Sequence, residues 1–217
     1  MKLVDLKVLD FLNEVDSKSP APGGGSVSAL VSSLGVSLSK MVGHLTTSKK
    51  KFAHLEPQIQ LEFQDVMSAL DLIKQQLILN IDEDTQAFNH IMNAYQLPKD
   101  TEENQKIRHQ AIQQATEEAI IVPLKVATFS FSVLHHLPFM IQYGNPQAIS
   151  DLGVAMLSLS AGIEGACMNV LINLPGFDNK FAASQYRKQV DQLIDETHRM
   201  RDRILSLVYQ SLRKDES

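Results

Sequence analysis

The chain has no tryptophan and one cysteine, Cys167, among 217 residues. A single cysteine excludes an intramolecular disulfide and a cysteine-built zinc cage. It fits a reducing compartment, and a cytoplasmic location is expected. Long basic runs are also missing. The formal net charge is -5, and the one local cluster is Lys49, Lys50 and Lys51. Neutralising a phosphate backbone requires more clustered cations than that, so no nucleic-acid partner is expected. No uninterrupted apolar run reaches the ~18 residues of a membrane span. The stretch after Gly23 comes closest, but it is rich in serine and ends at Lys40. No membrane partner is expected, and the charged N-terminus does not read as a signal peptide. The histidines form no metal pattern: His135 and His136 diverge on a helix, and there is no His-Glu-x-x-His. No metal site is expected. Ser26 lacks a Gly-x-Ser-x-Gly elbow, which removes the usual serine-hydrolase signature. Strand-like alternation between turn signals is absent as well.

Helical periodicity is present almost throughout. Hydrophobic content of 44% and charged content of 21% match an ordinary globular protein with a sizeable core. The spacing predicts an all-α fold, a single domain over residues 1–217, built as a helical bundle of about six helices with long central helices. The helices are expected over about 3–15, 26–45, 56–96, 101–136, 145–174 and 179–212, with a kink at Pro123. Asn145-Pro146 reads as an N-cap with proline at the first helical position. In the second helix Val27, Leu30, Val31, Leu34, Leu38, Met41 and Val42 recur at helical spacing, and the other faces are mostly Ser, Gly and Ala. Small residues permit close approach from several sides, which places this helix at the bundle centre.

The third helix carries the sharpest anomaly. Its stripe runs Ile59, Phe63, Val66, Leu70, Ile73, Leu77, then Asn80 and Ile81, and continues Asp84, Phe88, Ile91, Tyr95. Asp84 therefore occupies an apolar position. Burial raises a carboxyl pKa, and a shielded carboxyl suits a proton carrier or nucleophile. A structural carboxylate bridging two helices is the competing account. Asp82 and Glu83 point elsewhere, and Glu83 reads as part of a solvated acidic face. Gly23, Gly24, Gly25 and Ser26 precede a helix whose free N–H groups can hold a carboxylate, a phosphate or a polar carbonyl, or can simply form a tight corner. Further along stand Asn145, Asp151, Asn169 and Asn173. The last two share a helix face and need partners if buried, either nearby backbone or a polar heterocycle.

Taken together, Ser19-Pro20-Ala21-Pro22-Gly23-Gly24-Gly25-Ser26, Asp82 to Phe88, Leu97-Pro98-Lys99, Val122-Pro123-Leu124, Gly144-Asn145-Pro146 to Ser150-Asp151, and Asn169 to Leu174 resemble the cyclodeaminase/cyclohydrolase family, known from the C-terminal domain of formiminotransferase-cyclodeaminase. The blocks occur in family order from about Ser17 to Leu174. The resemblance implies an all-α homodimer acting on a tetrahydrofolate derivative as substrate, with no permanently bound cofactor. Cyclodeaminases close the folate ring with loss of ammonia to give methenyltetrahydrofolate; relatives are methenyltetrahydrofolate cyclohydrolases. The family's proposed catalytic aspartate falls on Asp84. Gly23 to Ser26 would offer N–H and hydroxyl groups to the substrate, and Asn145, Asp151, Asn169 and Asn173 would read the pterin edge. Lys49 to Lys51 would attract the tail of a polyglutamylated folate. The sequence holds no counterpart of the transferase unit, so loading of the formimino group is expected to occur elsewhere. A non-catalytic scaffold or folate-binding bundle is the competing class.

Overall fold

The computed structural model describes residues 2–213, and every regular element in them is helical. The α-helices are α1 (Val8–Val15), α2 (Gly24–Thr47), α3 (Pro57–Gln96), α4 (Glu102–Leu134), α5 (Leu137–Tyr143), α6 (Ile149–Asn173) and α7 (Lys180–Leu212). All six expected helices appear. The first is shorter than its periodicity suggested. Residues Leu3–Asp5 form a separate 3-10 turn, because the Leu3 N–H donates to Asp82 Oδ1 at 2.6 Å and ties the segment to α3. Asp82 is thus tied to the N-terminal turn. Glu83, expected on a solvated acidic face, is partly buried and accepts from Asn80 Nδ2 at 2.6 Å.

Local chemistry sets the helix ends. Thr101 Oγ1 accepts from the Asn104 N–H at 3.1 Å, and Asn179 Oδ1 from the Ala182 N–H at 3.1 Å, each capping the helix that follows. Asn145 accepts from the Gln147 N–H at 3.2 Å, capping a 3-10 turn over Pro146–Ala148 that leads into α6. Short helix α5, not anticipated from the sequence, carries Pro138 in its first turn; proline is well placed there and cannot continue α4.

Helix α2 lies between α3 and α6 and runs antiparallel to both. Its Gly25 end meets Asp84 and its Gly43 end meets Met67 of α3; Gly24 meets Asn169 of α6, and Gly35 meets Leu159. The buried face of α2 is the small one, including Ser26, Ala29, Ser32, Gly35 and Ser39. A Cβ at Gly35 would stand 2.8 Å from Leu159 Cγ and 3.0 Å from the Ala155 carbonyl oxygen. Two of its buried hydroxyls are satisfied within the helix: Ser33 donates to the Ala29 carbonyl at 2.8 Å and Ser39 to the Gly35 carbonyl at 3.0 Å. Of the predicted stripe, Leu34 is 54% exposed and Met41 38%, and Leu45 beyond it is 40% exposed, whereas Val42 is fully buried and Val27 and Leu30 pack against the core. A methyl group on Gly162, whose Cβ would overlap Ser32 Oγ and lie 2.9 Å from the Ser28 carbonyl, tests this close packing. Gly162→Ala is expected to lower stability by ~1–3 kcal/mol, read from urea melts.

Helix α4 continues unbroken through Pro123. Proline has no N–H, so the Ala119 carbonyl, four residues earlier, loses its helical donor. Asn173 Nδ2 supplies the missing bond at 3.1 Å. The same amide nitrogen donates to the Asn169 carbonyl at 2.9 Å. Asn173→Ala is therefore expected to destabilise by ~1–3 kcal/mol, the range for an orphaned buried group. That loss should shrink in a Pro123→Ala background, where a backbone N–H is restored. A double-mutant cycle from denaturant melts checks the coupling.

The stripe of α3 holds from Phe63 to Ile81, with Phe63, Val66, Leu70, Leu77, Asn80 and Ile81 buried and Ile73 partly so. Beyond Asp84 it fails. Tyr95 is 54% exposed, and Ala87 and Ala94 take the buried positions. Helix α2 begins beside Asp84, so the rest of α3 extends past it and packs on α4 through Ala87, Ala119 and Val122.

Three helical stretches, Gly24–Thr47, Glu102–Tyr143 and Pro146–Gly176, are long and apolar enough on average to cross a membrane, with mean hydropathies of 1.2, 1.5 and 1.5. Counting uninterrupted apolar runs missed them, because Ser, Gly and isolated charges break each run. About half of each qualifying window, 56%, 56% and 50%, is buried within the bundle.

Candidate active site

Asp84 reaches across from α3 to the first turn of α2. Its Oδ2 accepts from the Ser26 N–H at 2.8 Å and lies 3.2 Å from Ser26 Oγ. The Ser26 hydroxyl donates to the Ile81 carbonyl at 2.7 Å and sits 3.2 Å from Thr85 Oγ1. Gly25 packs directly on the carboxyl group; a Cβ there would overlap Asp84 Oδ1. This is one of the positions where glycine is required by close approach rather than by an unusual dihedral. Burial raises the Asp84 pKa above the ordinary 3.8, outweighing the backbone and side-chain hydrogen bonds from Ser26 that act the other way. The carboxyl group thus combines proton affinity with a fixed position at a helix N-terminus.

Asn169 joins this end of the bundle. A Cβ at Gly24 would stand 3.0 Å from Asn169 Nδ2, which donates to the Gly165 carbonyl at 2.8 Å. Gly24, Gly25, Ser26, Asp84 and Asn169 therefore form one cluster, with Gly23 just before α2. Asn173 lies one helical turn beyond Asn169, and its NH2 group serves the Pro123 gap. Thr85, which the sequence did not single out, belongs to the cluster through Ser26. Its signal was weak, since a threonine beside an acidic run is common on helix surfaces.

Asn145 and Asp151 lie at the opposite end. The Asn145 N–H donates to Thr46 Oγ1 at 2.8 Å, and Thr46 is twenty-one residues from Gly25 along α2, about 31 Å at 1.5 Å per residue. Asp151 stands in the first turn of α6, eighteen residues or about 27 Å from Asn169. Within one chain these residues do not share a site with Asp84. Asn145 lines a second feature, a cavity of about 490 Å³ whose walls include Lys49, Lys50, Lys51, Phe52 and Tyr143. Among the described residues no group of three or more His, Cys, Asp or Glu side chains could hold a metal ion. Cys167 is buried, and its thiol is pushed up to about 12, mainly by burial; it is no nucleophile at neutral pH.

The sequence profile of formiminotransferase-cyclodeaminase matches residues 7–208. A methenyltetrahydrofolate cyclohydrolase from Methylorubrum extorquens is 34% identical over 198 residues, covering 91% of this chain and 93% of its own. The formimidoyltransferase-cyclodeaminase of Rattus norvegicus is 36% identical over 194 residues, covering 89% of this chain and 35% of its own. The chain thus spans about a third of that longer relative. In three dimensions the crystal structure of formiminotetrahydrofolate cyclodeaminase from Thermotoga maritima superposes with a TM-score of 0.78, covering all of both chains at 24% identity, which establishes a shared fold. By profile and by relatives of this similarity, the chain belongs to the formiminotransferase-cyclodeaminase family.

Proposed function

We propose that the protein is a formimidoyltetrahydrofolate cyclodeaminase, closing the ring of its substrate to methenyltetrahydrofolate with release of ammonia. The observation that carries this is the Asp84 carboxyl, shielded by Gly25 and held by the Ser26 N–H, with its pKa raised by burial. In the reaction one folate nitrogen attacks the amidine carbon, a C–N bond forms, and the bond to the exocyclic nitrogen breaks. Ammonia carries away the hydrogen of the attacking nitrogen and one further proton, leaving the methenyl cation. A carboxyl group that stays protonated closer to neutrality can deliver that proton to the leaving nitrogen. Holding carbon and nitrogen in contact suits an intramolecular closure.

Gly23 to Ser26 and Asn169 are the proposed substrate contacts at this end. Asn173 retains only its carbonyl oxygen for that purpose. We also propose a homodimer of one domain per chain, with no resident cofactor, acting in the cytoplasm apart from membranes and nucleic acid. Methenyltetrahydrofolate cyclohydrolase is the second reading, favoured by the near-complete mutual coverage with the Methylorubrum extorquens protein. The near-ultraviolet band of methenyltetrahydrofolate separates the two. Growth of the band with stoichiometric ammonia from the formimidoyl substrate supports the deaminase. Decay of added methenyl substrate, without the first activity, selects the cyclohydrolase. Neither change would overturn the enzymatic reading.

A further inference from the structure

The first turn of α2 has little of its own to hold it. Gly23, Gly24 and Gly25 carry no side chains, yet the distance from this turn to α3 sets the contact between Ser26 and Asp84. The stretch from Leu3 to Phe11 lies across both helices at that level. Leu3, Leu6 and Phe11 meet Ile81 of α3 and Leu30 of α2 around an apolar cavity of about 130 Å³. Ile81 stands three residues before Asp84, and Leu30 four residues after Ser26, so each is one helical turn from the pair and on its face. Ile81 also reaches the pair through its backbone. Its carbonyl accepts the Ser26 hydroxyl at 2.7 Å, and that bond fixes where Ser26 Oγ stands, 3.2 Å from Asp84 Oδ2.

Packing alone does not fasten this stretch. The cavity is a gap beneath it that a filled core would not leave. Within α1 only Phe11 is buried, and Val8, Leu9 and Leu12 are exposed. Among the described residues its one hydrogen bond to another element is the bond from the Leu3 N–H to Asp82 Oδ1. A carboxylate acceptor makes the stronger class of such bonds. We infer that Asp82 is a positioning residue for the active site: it fastens Leu3–Phe11 as a brace across α2 and α3, and the brace holds Ser26 in register with Asp84. Asp82 acts through Leu3, Ile81 and Leu30, not on the substrate. Two carboxyl groups two residues apart on α3 thus do different work, one chemical and one mechanical. The inference rests on the folate reading for the reaction that Asp84 performs, but not for the brace.

Two substitutions separate fastening from charge. Asp82→Ala removes the acceptor, whereas Asp82→Asn removes the charge and keeps an oxygen for the Leu3 N–H. Amide hydrogen exchange followed by NMR reads the brace without any substrate. Exchange at the Ser26 N–H is expected to quicken ~10-fold or more in Asp82→Ala and to stay within about threefold of wild type in Asp82→Asn. Steady-state assays with the formimidoyl substrate read the consequence. Misplacing a reacting group by about 1 Å costs on the order of 100-fold. In Asp82→Ala kcat should therefore fall ~10- to 100-fold with KM unchanged, and in Asp82→Asn it should recover. Phe11→Ala loosens the same stretch elsewhere. It should repeat both changes, and add little to them when combined with Asp82→Ala. Helical circular dichroism checks that each variant folds; where Asp82→Ala does not, Phe11→Ala decides alone. Equal losses in Asp82→Ala and Asp82→Asn would assign the effect to charge and overturn the brace. Unchanged exchange at Ser26, an unchanged kcat in the active enzyme, or a raised KM at constant kcat would overturn it too. Exchange that responds as expected in a protein inactive on folate would sink the folate reading alone.

Discussion

Asp84→Asn is expected to lower kcat by ~100- to 10,000-fold, the usual contribution of a positioned acid or base, while making the fold more stable at neutral pH. The two effects have one origin. Burial holds the folded-state pKa above the ordinary 3.8, so between those values the folded protein binds more protons than the unfolded chain. Stability consequently falls as pH rises through that window, and the penalty persists at pH 7. Below 3.8 both states are protonated and the penalty vanishes. Asparagine keeps the shape and an oxygen for the Ser26 N–H, without the ionisation. The difference in Tm, variant minus wild type, should therefore be positive at pH 7 and decline to zero in acid. Such an opposition is common where a site is kept strained for chemistry. Paired assays and thermal melts at three pH values check both effects; an active variant, or one destabilised at pH 7 but not in acid, would contradict this assignment.

The second large effect is expected at Gly25. A single added methyl would overlap Asp84 Oδ1. Either the first turn of α2 shifts or the carboxyl group swings out toward water; both break the Ser26 N–H bond. Overpacking of this kind costs about 1–3 kcal/mol. The greater consequence is functional. A displaced carboxyl loses its shielding, its pKa falls back toward that of a solvated aspartate, and the fraction that carries a proton to donate shrinks. Gly25→Ala is therefore expected to lower kcat nearly as far as Asp84→Asn does, while shifting the alkaline limb of the pH profile, where the acid loses its proton, downward. Gly176→Ala, where no atom lies within 4 Å of the new methyl, serves as the control and should change neither rate nor stability.

The sequence revealed Asp84 because a carboxyl group interrupts a regular apolar series, and the same periodicity located all six long or amphipathic helices. It misplaced the outer part of α3, where Tyr95 faces solvent. Periodicity records which residues share a face but not where the neighbouring helix ends, and α2 stops beside Asp84. In α2 the small residues rightly placed the helix between neighbours, but helical spacing did not say which side they would occupy; glycine and serine let α6 and α3 approach, leaving Leu34, Met41 and Leu45 outside. Asn145 and Asp151 sat correctly in the family's order of motifs, but order along a chain carries no distance; α2 and α6 hold them some 30 Å from Asp84. The partnership of Asn173 with Ala119 was hidden because it answers a missing N–H at Pro123 in another helix.

The central claim is that the Asp84 carboxyl keeps its proton beyond the range of an ordinary aspartate. Its most direct test is a carbon-13 NMR titration of carboxyl-labelled aspartate in the wild type, with Asp84→Asn identifying the resonance. A midpoint above 3.8 is the expected result; a midpoint at or below 3.8 would contradict the account.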